Sequence, residues 1–517
     1  MGQWNLGIDF GTCNIKVCRN DKFGPISVKI DNDLHNSDNK VPNVIRYDAR
    51  NKFLVGRSAK KSKGRNDYAK RIVEGIKRKL EFSEWKHDFS DLGFILSAEE
   101  ITSDIFKYIR ERIENDGSTI LNSVVTVPVC FSEVQKQRIL GAAEKAGINI
   151  RDSVTEPVAA LFAIDEFFEE ECDEKVLVFD FGGATLDLCL AHVKNDGDGN
   201  IKIKIDSSFG WRFGGTDIDQ LIYEKIFIPK YKELLDTERK KDTYDVLDSE
   251  FLELAAKLKQ ELFDSENEDE EVSDYYNGEV YNLEEIKLTR QEVEECLNEF
   301  KFSEKIVSAL DSLFYDSKIE KNEVTQVKVL GGTSRIPLIR KTVADYFADG
   351  IYDPDEYDEE LAYKAVAQGA ARYLSVLLDE NSKVDINNSI AFYVGLDKNG
   401  YFERCIKRNQ RYGVFTPRKP ITLRELQQQQ WRFLLYQSFV QEDVSICGEE
   451  GAVYMGTIEL HKELYEDKDN IWYEFGINEH GKPVARFTFY DYDDLEEDNP
   501  YLIEQVEINL GKGENDE

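Results

Sequence analysis

Apolar and polar positions follow two regimes along this chain. Up to about residue 378, apolar runs of strand length alternate with stretches whose apolar residues recur every three or four positions. Residues 4–10 and 15–19 read as two strands about a turn at Gly11. Residues 99–115 carry Ile101, Ile105, Ile109 and Ile113 on one face, which predicts an amphipathic helix. Residues 123–128, rich in valine and threonine, read as a strand. They are followed by a helix over 133–146 that Gly147 closes. Pro157 suits the first turn of the next helix. Residues 176–179 form a buried-type strand with 187–193 as its hairpin partner. From Asp217 to about Phe302 the pattern is mostly helical and strongly charged. Residues 327–330 return to strand, and 336–347 and 361–378 to helix. Strand–turn–strand units with crossover helices appear twice, so the prediction is an α/β architecture of two related lobes.

The second regime begins after residues 379–388, a polar stretch without period that reads as a linker. Beyond it, residues 390–396, 401–407, 432–439, 453–460, 472–477 and 484–490 alternate or run apolar over strand lengths. Asn399-Gly400 and His480-Gly481 sit at turn positions between them. The predicted organisation is a domain over 1–378, a linker over 379–388, a β-rich domain over 389–510 and an acidic tail over 511–517.

Composition narrows the function classes. The 517 residues exceed what one core holds, and 41% hydrophobic with 12% aromatic content suffices for several. A formal charge of −35 repels nucleic-acid phosphates and anionic membrane surfaces, so neither partner is expected. Part of that charge lies in runs at 266–271 and 491–498, which read as solvated loops. The eight cysteines are scattered, with no C-x-x-C pair to indicate zinc or a disulfide framework. The N-terminus runs straight into a strand, and no apolar stretch approaches the roughly 20 residues that span a bilayer. The expected location is the cytoplasm.

Three glycine-bearing turns carry the candidate chemistry: Ile8-Asp9-Phe10-Gly11-Thr12-Cys13, Phe179-Asp180-Phe181-Gly182-Gly183-Ala184-Thr185-Leu186-Asp187, and Val329-Leu330-Gly331-Gly332-Thr333-Ser334-Arg335. Each ends an apolar strand. The first two place a carboxylate at the strand end and a threonine just past the glycine. Glycines let backbone N–H groups approach phosphate oxygens, and carboxylates hold a hydrated Mg²⁺. Two such turns suggest a duplicated fold closing on one nucleotide. Asp9 and Asp180 could instead cap their strand ends, but a buried carboxylate without a cation is costly, which favours the metal. Glu156 also suits capping of the helix beside Pro157, a role compatible with chemistry. Cys13 reads as a small apolar filler.

In order and wording these motifs resemble the seventy-kilodalton heat-shock (DnaK-like) chaperone family, within the actin/hexokinase ATPase fold. The second turn, Asp180 to Asp187, and Gly331-Gly332-Thr333-Ser334-Arg335-Ile336-Pro337 resemble its phosphate and adenosine motifs. Thr126-Val127-Pro128, Thr155-Glu156-Pro157-Val158-Ala159-Ala160 and Gly214-Gly215-Thr216-Asp217-Ile218-Asp219 are similar to three further signatures. The resemblance covers residues 4–378 closely and 386–510 more loosely. It implies a duplicated, two-lobed ATPase domain followed by a mostly β, sandwich-like domain, without the helical lid of typical members.

Residue by residue, the resemblance implies that Asp9 and Asp180 orient waters around Mg²⁺ with Asp187 nearby. Thr12 and Thr185 would meet the phosphates, as would the turn residues Gly11, Cys13, Gly182 and Gly183. Glu156 would align the attacking water and Lys77 would contact the γ-phosphate; an alternative register puts Lys70 there. Gly214 and Gly215 would border the nucleotide, Lys259 would contact the ribose, and Gly331, Gly332, Ser334 and Arg335 would face the adenosine. The chain departs from the pattern at Cys13, Ala184 and Thr216, at Tyr363 and Lys364, and around Lys259, where Ala256, Gln260 and Phe263 stand in place of polar contacts. The implied cofactors are ATP or ADP with Mg²⁺.

The resulting expectation is a chaperone-like protein that slowly hydrolyses ATP to control binding of unfolded or extended peptide, or of a dedicated protein client, with co-chaperones as further partners. The alternative is a nucleotide switch with little turnover that docks one protein partner. A small-molecule kinase and a filament former of the same fold are disfavoured by the β-rich region.

Overall fold

The computed structural model describes residues 2–22, 24–31, 39–62, 66–239, 244–264, 269–278, 283–315, 317–347, 350–398, 400–439, 452–465, 468, 470–479, 481–489 and 501–510. The acidic stretches at 266–268 and 491–498, Asn399, His480 and the acidic tail at 511–517 lie outside them.

Two sheets built on one plan form the body of residues 1–378. In the first, Gln3–Phe10 pairs antiparallel with Asn14–Asp21, which pairs with Gly24–Ser27. On its other side Gln3–Phe10 runs parallel to Thr119–Val127, itself parallel to Ile150–Thr155. In the second, Cys172–Phe181 pairs antiparallel with Leu186–Asn195, which pairs with Ile201–Trp211, while Gln326–Leu330 runs parallel on the other side. Each sheet is therefore a meander flanked by a parallel strand, which is the duplication expected from the two turns.

The second sheet shows why its strands read as apolar runs rather than alternations. Leu177, Phe179 and Phe181 enter one core, while Val176 and Val178 enter another. A sheet covered on both faces selects apolar residues at every position. Asp180 breaks that run at the strand end, where the sheet meets the cleft.

Helix starts follow local chemistry. Ser97 caps Ala98–Asn115 and Ser132 caps Glu133–Lys145, each through a reciprocal capping box with Glu100 or Gln135. The helix Glu359–Leu378 crosses behind the first sheet and meets the short helix Glu156–Leu161. Their backbones approach so closely at Gly369 that a Cβ there would lie 1.7 Å from the Ala159 carbonyl.

Three features depart from the sequence pattern. The mostly helical stretch from Asp217 to Phe302 also contains an antiparallel pair, Glu271–Tyr276 with Glu284–Thr289. The strand Ile201–Trp211 carries lysines at 202 and 204 that masked it. Within the polar stretch read as linker, Val384–Asn387 adds to the second sheet as a strand parallel to Ile201–Trp211. Backbone pairing with an existing sheet edge orders a segment whose side chains give no period.

The later part of the chain is β-rich. One sheet contains Tyr401–Ile406, Tyr393–Lys398, Arg432–Ser438, Val453–Glu459 and Asn509–Leu510; a second contains Lys419–Ile421, Ile471–Ile477, Pro483–Phe489 and Tyr501–Glu507. Apolar residues of both sheets, among them Val394, Leu435, Ile458, Phe475 and Phe487, share one core. Between these strands lies a short helix, Leu423–Gln428, capped by Thr422. This region rests on both lobes. The Glu133 N–H donates to Gln437 Oε1 at 2.8 Å, Asn409 Nδ2 donates to Ser207 Oγ at 3.0 Å, and Arg408 donates to the Ser312 carbonyl at 2.7 Å.

Candidate functional site

A cavity of about 1390 Å³ opens between the two lobes where all three glycine turns converge. Its wall contains Asp9, Gly11, Thr12 and Cys13 from the first turn and Asp180, Gly182, Gly183 and Thr185 from the second. Gly331, Gly332 and Arg335 come from the third, joined by Lys77, Glu156, Gly215 and Lys259. The strands place these residues by ending: each turn is the first point at which its strand leaves the sheet.

Three carboxylates, Asp9, Glu156 and Asp180, line the cavity, and a fourth, Asp187, is buried behind its wall. Asp9 and Asp180 are 5% and 6% exposed, and Asp187 and Glu156 are also buried. Burial, then the Glu156 and Asp9 charges, push the Asp180 carboxyl up to about 7. Burial likewise raises Glu156, against the opposing pull of Lys77, and raises Asp187 well above the ordinary carboxylate range. Two of the four have cationic partners. Lys77 Nζ lies 2.6 Å from Glu156 Oε1, and Lys16 Nζ lies 3.0 Å from Asp9 Oδ2. Among the described residues no lysine or arginine forms an ion pair with Asp180 or Asp187. An all-oxygen set with surplus negative charge suits a hard divalent cation. No three ligating side chains converge closely enough among the described residues to hold an ion directly, so the set fits a hydrated Mg²⁺ held through waters.

Lys77 is almost fully buried at 1% exposure, in the short helix Ile76–Lys79. Lys70, the alternative register, is exposed and outside the cavity wall. The next residue, Arg78, grips the opposite lobe by donating to both Asp217 carboxylate oxygens, at 3.0 and 2.5 Å, and to the Ala184 carbonyl at 3.0 Å. Lys259 Nζ lies 2.5 Å from Asp219 Oδ1 and donates to the Gly215 carbonyl at 2.6 Å, so it is tied into the cavity wall beside Gly215.

Three expected site residues lie elsewhere. Ser334 does not face the cavity: it is fully buried, and its hydroxyl donates to the Leu330 carbonyl at 2.6 Å. The one-residue offset arises because the chain turns into a short 3-10 helix at Gly332–Arg335, which brings Thr333 to the wall instead. Gly214 lies behind the second turn, its Cα packed against the Gly183 and Ala184 backbone. Asp187 also sits behind the wall, where it accepts the Val129 N–H at 2.6 Å and so ties the second hairpin to the first lobe.

The departures from the motif have structural answers. Ala184 is absent from the described non-glycine residues with positive φ, so a methyl group costs no backbone strain there. Gly331 does adopt φ 83°, and a Cβ on it would lie 2.3 Å from the Phe181 carbonyl. The Thr216 hydroxyl donates to the Gly183 carbonyl at 2.9 Å and so holds the second turn. Cys13 is exposed on the cavity wall rather than a buried apolar filler, and desolvation raises its thiol above the ordinary value. Leu252, Ala256, Gln260, Phe263, Ile336 and Tyr363 also contribute to the cavity wall.

Sequence reasoning missed several participants. Asn43 is buried and donates to the Gly11 carbonyl at 2.8 Å, fixing the first turn, yet nothing local marks it. Arg78 was adjacent to a recognised lysine. Lys16 could have been found from hairpin register, because it falls directly across the ladder from Asp9.

With this geometry in place, comparison with known proteins identifies the family. The sequence model of a family described as Hsp70 protein matches residues 5–438. Three curated relatives are named Chaperone protein DnaK. The one from Thermoplasma acidophilum is 29% identical over 72% of this chain and 58% of its own length. Those from Nitrosopumilus maritimus and Thermoplasma volcanium are 26% and 28% identical, over 78% and 72% of this chain and 61% and 58% of their own lengths. The chain thus spans about three fifths of the length of the relatives it matches.

Proposed function

The chain belongs to the Hsp70 family, with its two-lobed actin-like ATPase fold, and from that premise we propose that it is an ATP-dependent, chaperone-like protein. It binds ATP or ADP with Mg²⁺ between the lobes and hydrolyses ATP slowly, and the state of the cleft controls peptide or protein binding by residues 389–510. The observation that carries this reading is the convergence of three glycine turns, three buried carboxylates (Asp9, Glu156 and Asp180) and Lys77 on one inter-lobe cavity.

The residues divide the work of phosphoryl transfer to water. Asp9 and Asp180 would hold a hydrated Mg²⁺, with Asp187 buttressing the second hairpin. When bound, that ion supplies charge neutralisation at the phosphate oxygens. Thr12 and Thr185 offer hydroxyls, and the backbone of Gly11, Gly182 and Gly183 offers N–H donors. Lys77 brings a cation to the transferring group. Glu156 orients the attacking water and can take its proton, since burial has already raised its carboxyl. No side-chain nucleophile is needed.

Contacts from Gln437 to one lobe and from Arg408 and Asn409 to the other give the β-rich region a means of sensing the cleft. Its partners are then an unfolded or extended peptide or a dedicated client, together with co-chaperones. The net charge of −35 argues against nucleic acid. Among the described residues no helix is long and apolar enough to cross a membrane.

Mutual neutralisation of Lys77 and Glu156 and of Lys16 and Asp9 favours a second reading, a nucleotide switch with little turnover. The ATPase rate with and without an unfolded peptide separates the two. Stimulation by peptide supports the chaperone; tight ATP retention without turnover supports the switch. A protein that gives neither binding heat nor a thermal shift with any adenine nucleotide and Mg²⁺ refutes both.

A further inference from the structure

The two hairpins that frame the cavity can be superposed by register alone. Asp9 faces Lys16 across the first ladder, and Asp180 faces Asp187 across the second. Each partner lies seven residues beyond its aspartate. Lys16 therefore occupies in one lobe the position that a carboxylate holds in the other. The reversal of charge at that position is built into the site. Asp187 turns away from the cavity to cap Val129, whereas Lys16 lines it. The Lys16 side chain is 21% exposed, with Asp9 Oδ2 at 3.0 Å on one flank and the Tyr363 ring centroid at 5.3 Å on another. Lys40 donates to the Tyr363 hydroxyl at 2.8 Å and steadies that ring. An ammonium carries three donors, and the ion pair with Asp9 occupies one. The remaining two have the cavity between the first two glycine turns within reach, where phosphate oxygens would lie.

We infer that Lys16 is a second phosphate-binding cation, which neutralises a bound nucleoside diphosphate from the first hairpin and lets this chain hold nucleotide without a divalent metal. The inference rests on the nucleotide reading above and deepens it. Lys77 and Lys16 then bracket the phosphates, and the metal is required for turnover more than for retention. A fixed ammonium can take over this share because it is a compact point charge on a side chain only 21% exposed at the cavity wall.

Calorimetric titration of the full chain with ADP, in Mg²⁺ and in EDTA, tests it on wild type, Lys16→Met and Lys16→Arg. Wild type should lose less than about tenfold in affinity on chelation, that is, less than about 1.4 kcal/mol. Lys16→Met should lose about tenfold or more in EDTA but no more than about threefold in Mg²⁺, because in Mg²⁺ the ion supplies most of the positive charge that the lysine otherwise provides. Lys16→Arg, which keeps the charge and the Asp9 partner, should stay within about threefold of wild type in both buffers. Equal affinities of Lys16→Met and wild type in EDTA would overturn the inference, as would equal losses with and without metal. Should Lys16→Met not fold, wild type and Lys16→Arg still decide: a wild-type loss above about tenfold on chelation refutes the role. Wild type that binds ADP in neither buffer defeats the nucleotide reading itself, a distinguishable result.

Discussion

The two cavity-facing hairpins share a ladder, a glycine turn, a threonine and a strand-end aspartate, but they answer their aspartates with opposite charges. Lys16 stands across from Asp9, and Asp187 stands across from Asp180. The first hairpin is therefore close to electrically balanced, while the second stores negative charge that burial makes costly. A duplicated scaffold fixes where groups sit; the residue across the strand decides what each group can do. On this comparison Asp180 is the carboxylate that calls for a cation, and Asp9 is already partly answered.

The largest expected effect tests that asymmetry directly. Asp180→Asn should lower ATP turnover at saturating Mg²⁺ by about 100-fold, whereas Asp9→Asn should cost only about tenfold. Steady-state kinetics of both variants would break the comparison if the losses were equal. Lys77→Ala should lower turnover by about tenfold or more with a small change in nucleotide affinity, and Lys70→Ala should stay within about twofold, since Lys70 lies outside the cavity.

The pH response sharpens the comparison from the side of stability. A carboxyl raised from 3.8 to about 7 binds more protons in the folded protein than in the unfolded chain across that window. Its contribution to stability is therefore most favourable at the acidic end and declines as pH rises toward about 7. Scanning calorimetry of the nucleotide-free protein without Mg²⁺ should show this decline, and Asp180→Asn should flatten it. A pH dependence unchanged in Asp180→Asn would remove Asp180 as its source.

The smallest effect concerns the turn itself. Ala184→Gly should change turnover by less than about twofold, because the site does not require positive φ, and should destabilise by about 0.5–1 kcal/mol through the added freedom of the unfolded chain. A large gain in activity would show instead that the alanine obstructs the turn.

These contrasts divide what was legible in the chain from what was not. The stripe of Ile101, Ile105, Ile109 and Ile113 announced one helix, Gly147 ended another at φ 83°, and Asp9 and Asp180 stood out as charges closing apolar strands. Such signals are local, since capping, turning and strand alternation depend on neighbours a few residues away. Ser334 and Thr333 could not be told apart, because a short 3-10 helix decides which side chain reaches the wall. The strand at Val384–Asn387 was hidden because its order comes from a sheet edge nearly two hundred residues earlier.

The sequence by itself determined the two-lobed α/β plan, the β-rich region and the turns on which a nucleotide would rest, all through short-range pattern. Only the tertiary structure decided how charge is shared among them. It joined Lys77 to Glu156, set Arg78 against the opposite lobe, drew Asp187 back to Val129 and left Lys16 facing the cavity. Electrostatic roles depend on distance and burial, and residues far apart in the chain acquire both only when the lobes come together.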